Sequence, residues 1–196
     1  MENTNPKYIW KETSDQIGGS FSVSKQPITG GSMTDLFLLK IRLAYKGVDI
    51  EIHSSYFQAA DNEDEFGMNI LRITSRIDKQ ENFHLYLWRK GFIEKILSTN
   101  KNKTGFNNFD SSIGFDSNNI TKTKLLFSET EIREMIINDR TSTFNVQYEN
   151  NSLTVNYQSR ITNNKEEILS ELNKYIIFID GLIKYGVIIP LPVTLA

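Results

Sequence analysis

Two histidines, His53 and His84, are the residues best suited to proton transfer or metal ligation near neutral pH. Neither has a second histidine at H-x-H or H-x-x-x-H spacing, so a zinc or general-base role needs partners brought in by the fold. Cysteine is absent, which removes thiolate nucleophiles, iron–sulfur ligation, disulfides and thiolate zinc sites together. Serine is plentiful but never in a G-x-S-x-G elbow. Asp110 and Asp116 flank a short strand and can converge with Glu129 or Glu131, although the latter two also suit helix capping and Asp110 suits a turn. The acidic run Asp61-Asn62-Glu63-Asp64-Glu65 lacks the glycine and distant glutamate of a calcium loop and reads as a solvated connection. Gly30-Gly31 opens onto a strand, whereas a phosphate loop opens onto a helix. No metal or cofactor is expected.

The recognition chemistry is more suggestive. Between Asn69 and Lys90 the alternation predicts two paired strands joined near Asp78-Lys79-Gln80-Glu81, with Ile73 meeting Leu87 and Ile77 meeting Phe83 on the inner side. Arg72, Thr74 and Arg76 then face Trp88, Tyr86 and His84. Guanidinium over indole is a cation–π pair, and an arginine and aromatic sheet face can stack bases or hold an anion, so Arg72, Arg76, His84, Tyr86 and Trp88 are the candidate binding residues. The plainer alternative is a solvent-facing or helix-covered side that uses aromatics for their strand propensity.

Composition narrows the classes. Net charge is −2 and pI near 5.8, so no global basic field draws nucleic acid or anionic lipid. The first six residues lack the basic and apolar regions of a secretory leader, and no apolar run approaches the roughly 20 residues of a membrane span. These features, with the missing cysteines, give the expectation of a cytoplasmic protein. Richness in Asn, Ile and Lys fits the codon usage of an AT-rich genome.

The elements that must position these side chains are hairpins and helices. From Thr143 to Gln158 apolar and polar residues alternate on both sides of Asn150-Asn151, predicting a two-residue turn that pairs Phe144 with Tyr157, Val146 with Val155 and Tyr148 with Leu153. Its greasy face needs a cover. Asn164 with Glu167 marks a helix start, and Ile168, Leu172, Tyr175, Ile176, Ile179, Leu182 and Ile183 make an apolar stripe over Lys165 to Tyr185, closed by Gly186. Glu171 and Lys174 fall mostly off that stripe. Asp35 to Tyr56 predicts another hairpin about Lys46-Gly47, pairing Arg42 with Glu51 and Lys40 with His53 on its polar face. Short helices are predicted at Gly91 to Ser98 and at about Glu129 to Asn138, the latter with a capping box of Ser128 and Glu131. Tyr8, Ile9 and Trp10 read as a short strand. The fold class is α+β: antiparallel hairpins in one or two sheets, covered by a long C-terminal helix and two shorter ones, as a single domain over 1–196 with a possible seam at 99–104.

From Gly105 onward the chain resembles uncharacterised bacterial domain-of-unknown-function proteins, in which a G-x-x-x-F-D turn, here Gly105, Phe109 and Asp110, precedes a strand, a capped helix, a hairpin and a closing helix. The resemblance implies that fold order over half the chain and a bacterial source, and brings no catalytic residues. Since no motif specifies a reaction, the leading expectation is a non-catalytic interaction or ligand-binding domain, with a protein partner or a second copy as possible company. An enzyme with dispersed acid and base residues is the alternative. Single-stranded nucleic-acid binding on the Arg72, Tyr86 and Trp88 face is the third reading, and the negative charge speaks against it.

Overall fold

The computed structural model describes residues 5–27, 34–59, 65–91, 102–139, 141–162 and 164–190. Its elements run α1 (Pro6–Ile17), β1 (Ser20–Pro27), β2 (Thr34–Tyr45), β3 (Val48–Ala59), β4 (Glu65–Asp78), β5 (Leu85–Arg89), α2 (Asn107–Ser112), β6 (Ile113–Ser117), α3 (Ile120–Leu126), α4 (Thr130–Asn138), β7 (Thr143–Glu149), β8 (Ser152–Arg160) and α5 (Lys165–Lys184). All eight strands form one antiparallel sheet in the order β1-β2-β3-β4-β8-β7-β5-β6. Residues 92–98 of the predicted helix at Gly91 to Ser98, residues 99–101 of the 99–104 seam and the acidic residues 61–64 lie outside the described residues.

Both two-residue turns form as predicted. Asn150 and Asn151 take φ of 51° and 61°, and Lys46 and Gly47 take 48° and 75°, the doubly left-handed pattern that matches strand twist. The registers follow: Phe144 pairs with Tyr157, Val146 with Val155, Arg42 with Glu51 and Lys40 with His53.

The pairing of β4 with β5 does not form. The β7–β8 hairpin sits between them, so Ile73 pairs with Tyr157 and Arg72 with Gln158, while Leu87 pairs with Phe115 across β6. Each residue keeps its predicted face, because alternation decides the face and leaves the neighbour open. Strand β4 also pairs with β3 along its other edge, with a register shift between His53 and Ser55 where the Ser54 hydroxyl donates to the Ile70 carbonyl at 2.9 Å.

The described helices lie on the apolar side. Helix α5 buries Ile168, Leu172, Tyr175, Phe178, Ile179 and Leu182, and Phe178 packs on Phe144 with ring centroids 4.4 Å apart. Asn164 caps it by accepting from the Glu167 amide at 2.7 Å, while the Glu167 carboxylate turns to the backbone and hydroxyl of Thr162 instead of closing a box on Asn164. At its end, Gly186 at φ 63° lets the Val187 amide reach the Leu182 carbonyl and its own amide reach Ile183, which reverses the chain and buries Val187 and Ile188. Gln80 then behaves as a piece of strand, accepting from the Ile189 amide at 2.8 Å and donating to the Ile189 carbonyl at 3.1 Å. Gln80→Ala leaves both backbone groups without that partner, and we expect a loss of about 1–3 kcal/mol. Faster hydrogen exchange at the Ile189 amide checks it; unchanged protection would refute the clamp.

Three further corrections concern the helices. Residues 8–10 belong to α1, which Asn5 caps, Pro6 opens and Gly18 closes at φ 68°. Trp10 is fully buried there, whereas Tyr8 points outward. Helix α4 begins at Thr130 without a side-chain cap: the Ser128 hydroxyl donates back to the Leu125 carbonyl, and Glu129 is held by Lys184 and Tyr185. Glu171 is buried, accepting from the Tyr157 hydroxyl and pairing with Lys174.

Candidate ligand site on the open sheet face

No described helix covers the polar side of the sheet. Arg42, Arg72, Arg76, Gln147, Gln158 and Tyr86 are all exposed on it. Strand registers arrange these side chains in transverse rows. One row runs Ser22, Lys40, His53, Arg72, Gln158 across β1, β2, β3, β4 and β8. The next row along runs Arg42, Glu51, Thr74, Asn156, Asn145, Tyr86 and Asp116. Adjacent strands are about 4.8 Å apart, so the first row sets three basic groups side by side.

Over that row, where the β3–β4 shift bends the sheet, lies a hollow of about 480 Å³. Ser22, Ser24, Leu38, Lys40, Arg42, His53, Ser55, Ile70 and Arg72 contribute to its wall. Lys40 and Arg42 share Glu51, at 3.0 and 2.7 Å, and the hydrogen bond from Lys40 chiefly holds the Glu51 carboxyl below its ordinary range. Arg72 has no carboxylate partner among the described residues. Burial first, and then the charges of Lys40 and Arg72, push the His53 imidazole below its ordinary value, so it is neutral at physiological pH.

The predicted binding residues divide between two places. Arg72 belongs to the hollow and Arg76 lies four residues along the same strand, near Asp78 at 3.7 Å. Tyr86 and Trp88 stack on each other at 5.9 Å on β5, beyond β8 and β7, which puts them about 14 Å from Arg72 and rules out the predicted guanidinium–indole contact. They border a smaller hollow of about 260 Å³, which opens where β5 and β7 diverge after two paired residues. His84, half-buried, stands near the exposed Asp116 at 3.7 Å, and its amide is tied to Asn118.

No protein-family model, curated protein or solved structure matches this chain. The residues alone must therefore speak for the site.

Asp110 is consumed structurally. Its carboxylate accepts from the Thr104 amide and hydroxyl and from the Gly105 amide, so it caps the turn that sends buried Phe109 into the core. Gly105 needs its freedom there, at φ 97°. Lys40, His53 and the serines of β1 are the site residues that sequence reasoning passes over. The Lys40–His53 pairing was legible as a surface ladder pair; what it lacks is the adjoining Arg72, which only the β3–β4 pairing supplies.

Proposed function

We propose that this chain is a non-catalytic ligand-binding domain, whose small-molecule ligand seats in the hollow over the Ser22, Lys40, His53, Arg72 row. The observation that carries this reading is the hollow itself: its 480 Å³ falls within the range of about 300–1,000 Å³ typical of small-molecule sites. Its wall mixes fixed polar groups with the apolar Leu38 and Ile70, the usual make-up of a recognition pocket. Chemistry of the wall favours holding over converting. His53 is the single imidazole of the wall, and the neighbouring carboxylate, Glu51, has both oxygens engaged by Lys40 and Arg42.

A fragment screen by two-dimensional NMR on the full chain tests this. Binders are expected to move the amides of Ser22, Lys40, His53 and Arg72 as a group and to be recovered unchanged after long incubation. Conversion of a binder that stops in His53→Asn would overturn the non-catalytic reading, and binders that leave these amides still would overturn the location.

A further inference from the structure

Resting on that reading, we propose that the ligand is a small organic phosphate, a dianionic phosphomonoester that lays its phosphate on the Lys40, His53, Arg72 row and its apolar body on Leu38 and Ile70. Three features of the hollow point there.

The first is the row itself. A sheet surface normally intersperses charges of both signs. Here Lys40, which shares Glu51 with Arg42, and Arg72, which has no carboxylate partner among the described residues, flank one imidazole on either side, an arrangement that an added anion completes.

The second is the charge count. Lys40, Arg42 and Arg72 carry three positive charges against the single carboxylate of Glu51, which leaves two net positive charges in a chain whose total is −2. A dianion neutralises that excess; a monocarboxylate neutralises half of it. Arg72 offers a planar fork of donors to phosphate oxygens, and Ser22 at the end of the row adds a hydroxyl.

The third is polarity along the strands. One row further, Ser24, Leu38 and Ser55 stand opposite one another, with Ile70 beside the shift in β4. Side chains two residues apart on one face are separated by about 6.6 Å, so a phosphate held on the charged row directs the ring or chain it esterifies toward the next row. A charged strip beside one that adds the apolar Leu38 and Ile70 favours an ester over free phosphate. His53 links occupancy to protonation: it is depressed in the free chain, and a dianion against it raises its affinity for a proton.

NMR titrations of the full chain with phenyl phosphate, inorganic phosphate, phenylacetate and benzyl alcohol, at low and high salt, decide the matter. Phenyl phosphate should saturate, bind at least about tenfold more tightly than each of the other three probes, weaken with salt and raise the His53 pKa. Arg72→Gln should lose at least about tenfold in affinity, while Arg76→Gln, four residues away and outside the wall, should change it less than about twofold. Both side chains are exposed, so both variants should keep the parent's dispersed spectrum. Phenylacetate binding as tightly as phenyl phosphate, or benzyl alcohol binding while phosphates do not, would overturn the phosphomonoester and leave the ligand-binding reading standing. Silence of the hollow's amides to these probes and to the wider fragment screen would overturn both.

Discussion

Replacing Lys174 with methionine is expected to destabilise the chain by about 3–5 kcal/mol at neutral pH, because it leaves two enclosed carboxylates facing each other without their cation. Lys174 reaches Asp139 at 2.5 Å and Glu171 at 2.7 Å, and the carboxylate side chains are only 8% and 10% exposed. Glu171 also accepts from Tyr157, whose hydroxyl burial and then Glu171 itself hold well above the ordinary range. Asp139 additionally accepts from the amides of Thr141 and Ser142, so one lysine ties α5 to the segment between α4 and β7. Burial alone would raise the Asp139 carboxyl; the bonds from Lys174 and Thr141 outweigh it and bring the value down from 3.8 to about 2.

A depressed carboxyl contributes stability above its unfolded value and loses it as pH falls through its folded value. In the parent chain about 2 kcal/mol should therefore fade between pH 4 and pH 2. In Lys174→Met the sign reverses, since protonating the stranded carboxylates relieves them, and the gap to the parent should narrow on acidification. Urea unfolding between pH 2 and pH 7 reads both. A variant within about 1 kcal/mol of the parent at pH 7 would show that the cluster is surface decoration.

Phe178→Ala should cost a comparable amount, about 3–5 kcal/mol, for a different reason. Its ring is fully buried between α5 and the sheet and lies 4.4 Å from that of Phe144, which in turn packs on Tyr157 at 4.5 Å. Truncation removes the transfer energy of the ring and leaves a void that two rigid aromatics cannot close. Leu125, 45% exposed, provides the contrast: its change to alanine should stay within about 0.5 kcal/mol. A Phe178→Ala loss below about 1.5 kcal/mol, by denaturant midpoint at unchanged slope, would mean that the helix slides to refill the space.

What was legible in the amino-acid order was local. Asn150-Asn151 and Lys46-Gly47 dictate tight turns, and a tight turn dictates register, so β2 with β3 and β7 with β8 could be paired residue by residue. Faces were legible for the same reason, including those of β4 and β5. The identity of a strand's non-adjacent neighbour was not, because Ile73 is satisfied equally by Leu87 or Tyr157 on the apolar side. Helix α1 was obscured by its three consecutive bulky residues, which mimic a strand, although Asn5-Pro6 and Gly18 bracket it correctly. Phe178 falls off the Ile and Leu stripe that the spacing picks out, and Glu171 looks solvent-facing until Tyr157 and Lys174 are placed beside it. The candidate site was half visible: the Lys40–His53 pair follows from a turn, whereas Arg72 joins it through a strand pairing that carries no turn signature.

The position of the last hairpin governs how this chain must assemble. Its β8 strand pairs with β4, joining Ile77 to Leu153 and Ile70 to Arg160 across most of the C-terminal half. During synthesis β4 and β5 emerge long before that partner exists, so the apolar sides of both stay available to wrong neighbours until residue 160 has cleared the ribosome. Such distant pairings slow the search, because chain closure must precede any reward from contact. Refolding should accordingly be slow beside helical proteins of equal length, and fragments lacking the final hairpin should be sticky.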